Sequence, residues 1–162
     1  MSSTLRIDDV PRDSRERLAA ILDQSFTGIY RWHARKILRS VHRVRAAARG
    51  GAAVGVTMFT MLGPFSGYVY YVAVAPSHRA AGVGGLLLDD ALGLLRTESA
   101  REVFACIRAD NTASLRLFES RGFTEVSFRE LARGRGFGSA ARLWMRMVVA
   151  PGERVFRTSF RP

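Results

Sequence analysis

The chain has 162 residues, 48% of them apolar and 24% charged, a globular composition that excludes a disordered tail, a collagenous repeat or a disulfide scaffold. That length predicts one domain over residues 1–162, able to bury about 70% of the surface that its unfolded form exposes. Twenty-five basic residues against 14 acidic ones give a net charge of +11, and every basic residue but Lys36 is arginine.

Leu5 to Val10 predicts a first strand, and Pro11 followed by Ser14, Leu18, Ile21 and Leu22 predicts a helix closing near Gly28. A second helix runs from Tyr30 to about Ser40, with Ile37 and Val41 on one side and Arg31, Arg35 and Arg39 on another. Val44 to Arg49 follows, and the Gly50-Gly51 pair predicts a hairpin turn. Strands come next at Ala52–Leu62 and Gly67–Ala75. No Asp, Glu, Lys or Arg stands between Arg49 and Arg79, but Gly63-Pro64 and Ser66-Gly67 divide this stretch into pieces too short to cross a membrane as a helix.

After a glycine cluster, Leu86, Leu87, Ala91, Leu94 and Leu95 predict a helix, and Glu102 to Arg108 a strand in which Val103, Ala105 and Ile107 alternate. Asn111 suits the cap of a short helix ending at Gly122. Two closing strands are expected at about Thr124–Leu131 and Ala141–Val149, around the glycine-rich loop Gly134, Gly136 and Gly138, with residues 151–162 as a loosely held tail. This order of elements indicates an α/β fold with a sheet of mixed direction. The lone Cys106 forms no internal disulfide, and MSSTLRIDD has neither the cationic start nor the apolar core of a secretion signal, so the expected location is the cytoplasm.

The segment richest in chemistry is the apolar strand Val72-Ala73-Val74 followed by Ala75-Pro76, a short loop, Arg79-Ala80-Ala81-Gly82-Val83-Gly84-Gly85 and a helix. Glycines at a helix start leave amide groups uncovered in front of the helix dipole, which suits a phosphate or pyrophosphate, and Arg79 adds a cation at the rim. A nucleotide P-loop would need a Lys after its last glycine, and Leu86 stands there. A dinucleotide fingerprint counted from Gly82 would need Gly or Ala at Leu87. Close helix packing is the structural alternative for these glycines.

The pattern Arg79-Ala80-Ala81-Gly82-Val83-Gly84 after Val74-Ala75-Pro76 resembles the signature of the GNAT family of N-acetyltransferases. A second block, Asn111-Thr112-Ala113-Ser114-Leu115-Arg116-Leu117-Phe118 running to Gly122-Phe123, is similar to a further motif of the same family. The resemblance is best over roughly residues 53 to 130. It implies the GNAT fold, a mixed, mostly antiparallel central sheet of about six to seven strands flanked by about four helices. It also implies direct transfer of an acetyl group from acetyl-CoA to a primary amine, on a small molecule or a protein, without a metal. Val72, Ala73 and Val74 would pair with the pantetheine arm, and Arg79, Ala80, Ala81, Gly82, Val83, Gly84 and Gly85 would hold the pyrophosphate. Asn111, Ser114 and Phe118 would lie beside the pantetheine, Asn111 and Ser114 serving equally as helix-capping residues.

Acyl transfer needs a neutral amine, donors for an oxyanion and a proton for the leaving thiolate. The general acid of many family members is a Tyr where this chain has Phe118, and the frequent Glu base is replaced by Tyr68. Tyr68 and Tyr70 share strand parity with Val72 and Val74, which makes them the catalytic candidates, with core packing as their plain alternative. His33 and His42 lie where this family covers its acceptor. His33, His42, His78 and Cys106 are too scattered to form a metal site. The missing acid and base leave a second reading, an acyl-CoA-binding or regulatory module without turnover.

A third reading, nucleic-acid binding, starts from residues 26–60, which carry Arg31, Arg35, Lys36, Arg39, Arg43, Arg45 and Arg49 and no acid, but no nucleic-acid motif accompanies them. The same charge favours an acceptor bearing carboxylate or phosphate. No membrane association is expected, and the last strand would offer an edge for a homodimer.

Overall fold

The computed structural model describes residues 4–160. Among them, seven strands make a mixed, mostly antiparallel sheet accompanied by six α-helices. By its internal contacts the chain divides into two compact units, Met1–Thr60 with Val69–Leu94, and Met61–Tyr68 with Leu95–Pro162.

The first unit is built on β1 (Arg6–Asp9), α1 (Ala19–Ser25), α2 (Gly28–Ser40), β2 (Arg43–Arg49), β3 (Ala52–Met61), β4 (Ser66–Val74) and most of α3 (Val83–Thr97), with the strands in the order β1-β2-β3-β4. Gly50 and Gly51, at φ +58° and +84°, make the two-residue turn between β2 and β3, a backbone that side chains bearing a Cβ adopt at a cost. Alternation along the strands then serves two faces. On one face Val44, Ala46, Val56, Met58 and Ala73 join Leu18, Ile21, Leu22, Ala34 and Leu38 in a core under α1 and α2. On the other, Ala47 and Val54 pack with Val83 and Leu87 of α3, flanked by Val72 and Val74. Gly55 permits that approach, since a Cβ there would stand 2.8 Å from the Leu87 side chain and 3.2 Å from the Ala73 carbonyl oxygen.

The single helix expected from Pro11 to Gly28 is instead a 3-10 stretch, Arg12–Leu18, followed by α1, which stops where Phe26 turns extended. Arg15, 5% exposed, points inward from that stretch. Its guanidinium donates to the main-chain carbonyls of Val10, Leu38, Val41 and His42.

The second unit holds β5 (Glu102–Arg108), α4 (Thr112–Glu119), β6 (Thr124–Glu125), α5 (Phe128–Arg135), α6 (Phe137–Met147) and β7 (Glu153–Ser159), with strand order β5-β7-β6. Asn111 caps α4 by accepting from the Ser114 amide at 3.1 Å, and Gly122 closes it at φ +79°. The Phe123 amide donates back to the Phe118 carbonyl, which brings the two rings edge to face at 5.0 Å.

From Val126 onward the structure overturns the expected pattern. Thr124–Leu131 is a two-residue strand followed by the start of α5, and Ala141–Val149 lies largely in α6. Ser127 and Glu130 form a reciprocal capping box that starts α5. Leu143, Met145, Met147 and Val149 alternate like a strand in the sequence, yet Met145 is 69% exposed, and Ala140, Leu143 and Met147 are buried at helical spacing.

The loosely held tail is overturned as well. Glu153–Ser159 pairs antiparallel with β5 from Glu102↔Ser159 to Arg108↔Glu153, and with β6 through Thr124↔Arg157. Val155 and Phe156 bury its centre; residues 161–162 of the expected tail lie outside the described residues. Because β7 is flanked on both sides, it offers no edge for pairing with a second copy.

Candidate active site

In the first unit β4 ends at Val74, and the Ala75 amide still bonds the Val54 carbonyl at 2.8 Å before Pro76–His78 makes one 3-10 turn. Ala80 at φ +60° and Gly82 at φ +77° then swing the chain into α3, whose first intrahelical bond runs from the Leu86 amide to the Gly82 carbonyl. Among non-glycine residues a positive φ is uncommon, so Ala80 holds strain where the chain turns toward the helix start. Residues 79–82 are exposed, whereas Val83 is buried and anchors the helix. The amides of the first turn of α3 have no acceptor within the helix and open on this exposed loop, with the helix dipole behind them.

Arg79 is turned back over the strand end. Its Nε donates to the Val74 carbonyl at 3.1 Å and its Nη2 to Ser25 Oγ at 3.4 Å, so it braces the loop against β4 and α1.

The tyrosines of β4 separate. Tyr68, in the second unit, is 4% exposed, and its hydroxyl donates to the Met147 carbonyl at 3.3 Å and meets the Cys106 thiol. Burial pushes that thiol up to about 12, which keeps it protonated and unreactive. Tyr70 is half-buried against the core beneath α1 and α2, and burial raises its phenol above the ordinary value. Tyr71 lies against the same core, its hydroxyl 2.7 Å from His33 Nδ1 and its ring edge to face with Phe26 at 4.9 Å.

The chain order conceals the Tyr71–His33 pair, because Tyr71 reads as an ordinary strand former and its partner stands 38 residues away. The available signal was the α2 stripe Tyr30, His33, Ala34 and Ile37, which places His33 on the inward side. His42 is exposed, and His78 Nδ1 contacts Ser77 Oγ at 2.9 Å. In the second unit, Asn111 is exposed, Ser114 is half-buried, and Phe118 is buried against Phe123. Among the described residues no cluster of ligating side chains could hold a metal, and no helix is long and apolar enough to cross a membrane.

Four of the seven cations in the acid-free stretch meet acids in space. Arg35 makes a two-pronged bond to Asp23 at 2.8 and 2.5 Å, which holds the Asp23 carboxyl below the usual range. Arg39 pairs with Glu16, Arg43 with Asp9 and Arg45 with Asp90. The acids come from β1, the 3-10 stretch, α1 and α3, so a sequence window of 35 residues misrepresents the field at this surface.

The profile of the acetyltransferase (GNAT) family matches residues 9–123, which take in β4, the turn and the start of α3. The chain belongs to the acetyltransferase (GNAT) family. Its sequence is 32% identical over 130 residues to the N-alpha-acetyltransferase RimI of Mycobacterium tuberculosis, covering 76% of this chain and 80% of that protein. It is 33% identical over 61 residues to the [Ribosomal protein bS18]-alanine N-acetyltransferase of Salmonella typhimurium, 38% of this chain and 41% of that one.

The fold is that of the PaiA N-acetyltransferase of Thermoplasma acidophilum, solved in complex with coenzyme A, at TM-score 0.72 and 9% identity over 97% of this chain and 99% of that one. As a GNAT enzyme the chain is an acetyl-CoA-dependent acyltransferase that moves an acetyl group to an amine. The amides at the α3 start, which have no acceptor within the helix, suit the charge of that co-substrate's pyrophosphate.

Proposed function

We propose that this GNAT enzyme works in the cytoplasm and acetylates the α-amino group at a protein N-terminus. The acetyl-CoA part of this reading is carried by one observation, the turn through Ala80 and Gly82 after β4, which leads into the start of α3, where the first amides have no intrahelical acceptor. The acceptor part is supported by the relative that spans most of both chains, an N-alpha-acetyltransferase.

In this reading the main chain of Val72, Ala73 and Val74 carries the pantetheine arm. The amides of Ala80, Ala81, Gly82, Val83, Gly84 and Gly85 take the pyrophosphate, with Arg79 bracing the loop. Asn111, Ser114 and Phe118 serve the pantetheine from α4. Tyr70 packs beneath α1 and α2, and Tyr68, engaged with Met147, shapes the strand end rather than moving protons. Acetyl transfer forms an N–C bond at the thioester carbonyl and breaks its C–S bond. Main-chain amides of β4 supply donors for the oxyanion that develops between these events.

The test uses labelled acetyl-CoA and a hexapeptide beginning with a free alanine, beside the same peptide N-formylated and carrying an internal lysine. Label on the free peptide alone is the expected result. Label on the lysine peptide alone, or on neither while acetyl-CoA binds, overturns the N-terminal acceptor.

A further inference from the structure

Resting on that reading, we propose that Tyr71 and His33 are the proton-removing pair for the acceptor amine, with Tyr71 touching the amine and His33 acting through it. Acetylation of an ammonium group requires a proton to leave the nitrogen before it attacks, since the α-amino group of a peptide ordinarily titrates at about 8 and is mostly protonated at neutral pH. No carboxylate stands at the strand position where this chain has Tyr68, and the Tyr68 hydroxyl is directed into the second unit toward Met147. Tyr70 packs against the core beneath α1 and α2, and burial raises its phenol above the ordinary value. Tyr71 differs from both because its hydroxyl meets an imidazole at 2.7 Å.

Four features favour a working pair. Tyr71 immediately precedes Val72, the first residue of the strand segment assigned to the pantetheine arm, so its ring stands beside the reacting end of that segment. Its side chain lies on the α1 and α2 face, while Val72 and Val74 turn toward α3, which separates acceptor chemistry from strand packing. Both members are half-buried, and Phe26 contacts the Tyr71 ring edge to face, which limits its swing. Arg15 ties the last turn of α2 to the end of β1, so the helix that carries His33 is itself fixed.

The proton balance is complete. With Nδ1 unprotonated, the Tyr71 hydroxyl donates its proton to His33 as it accepts one from the ammonium group, leaving a neutral amine and an imidazolium. The amine attacks the thioester carbonyl, the N–C bond forms, the C–S bond breaks, and the second nitrogen proton follows to the departing thiolate. His33 then returns its proton to solvent. The elements packed against α2 bring Tyr70 and Tyr71 from β4, Asp23 from α1, and Arg15 and Glu16 from the 3-10 stretch; α2 itself carries Tyr30, Arg31, Arg35, Lys36 and Arg39. Asp23 and Glu16 are paired with Arg35 and Arg39, and Arg15 is committed to carbonyls.

The experiment compares wild type, Tyr71→Phe and His33→Gln on the alanine hexapeptide, with acetyl-CoA binding and melting temperature measured in parallel. Both variants are expected to bind acetyl-CoA and melt as wild type does, to lose about 100-fold in kcat, and to keep KM within about twofold. Wild type should show an acidic limb in kcat against pH that His33→Gln lacks. An unchanged kcat in Tyr71→Phe, or an acidic limb retained in His33→Gln, overturns the pair. An inert wild type with label appearing on a different amine of a cell lysate retires the N-terminal acceptor instead, and the same variants assayed on that amine still decide the pair.

Discussion

Nη1 of Arg15 lies 2.7 Å from the carbonyl oxygen of Val41, at the point where α2 has just ended and the chain turns toward β2. Helix C-termini leave carbonyls without partners, and here one buried cation satisfies those of Leu38, Val41 and His42 together with that of Val10. Arg15→Met keeps an unbranched apolar stem and abandons these carbonyls. It should cost about 3 kcal/mol, since hydrogen bonds to a charged group are worth about 1.5–3 kcal/mol and the abandoned acceptors add their own cost. Urea denaturation measures it, and a loss below about 1 kcal/mol would show that water replaces the guanidinium freely.

A carboxylate placed at the start of α3 tests the phosphate-binding loop. Gly84→Glu is expected to abolish acetyl-CoA binding in calorimetry while leaving the circular dichroism spectrum unchanged, because a negative charge would stand where the helix dipole draws the pyrophosphate. Binding at wild-type strength would move the co-substrate away from this loop.

Tyr68→Phe removes a single hydroxyl that donates to Met147 and meets Cys106. The expected result is about 1 kcal/mol of lost stability, roughly 2–4 °C in melting temperature, with kcat unaltered. A large fall in kcat at constant stability would return Tyr68 to the catalytic machinery.

Deleting residues 151–162 removes β7, whose Val155 and Phe156 are 2% and 4% exposed. β6 would lose its partner and β5 the strand on one of its edges, so the shortened chain should be insoluble or bind hydrophobic dye as a loosely packed state. A soluble, cooperatively melting product would show that β7 is dispensable.

The Asp23 carboxyl is held below the usual range, first by its hydrogen bond from Arg35. The folded chain therefore binds that proton more weakly than the unfolded chain does. The stabilising contribution is complete above ordinary aspartate titration, about pH 4, and disappears as pH falls through the lower folded value. Asp23→Asn should flatten stability against pH in that acid window and leave the slope near neutrality unchanged. Denaturation midpoints collected from pH 2.5 to 7 measure both.

Short-range chemistry was what the sequence made legible. Gly50-Gly51, Asn111 and Gly122 act within a few residues of themselves, and the apolar alternation of Glu102–Arg108 matches the strand it forms. The loop before α3 was readable because its glycines and the preceding strand adjoin. Beyond Val126 two periods competed, since Leu143, Met145, Met147 and Val149 fit a strand while Ala140, Leu143 and Met147 fit a helix. Only packing decides between them. Arg15 looked like any other charge in an arginine-rich chain, and the contact between His33 and Tyr71 depends on how α2 crosses β4, which no local pattern encodes.

The position of β7 between β5 and β6 also bears on how the chain is made. A ribosome adds the 51 residues that follow Arg108 up to Ser159 after β5 has been synthesised, which at roughly 5–20 residues per second takes roughly 3–10 s. Throughout that interval the edge of β5 that β7 will occupy lacks its proper partner, with Val103, Ala105 and Ile107 synthesised but not yet covered by the closing strand. Nascent chains on a crowded messenger would meet each other through this edge, so slower translation through the last third of the message should lower the soluble yield.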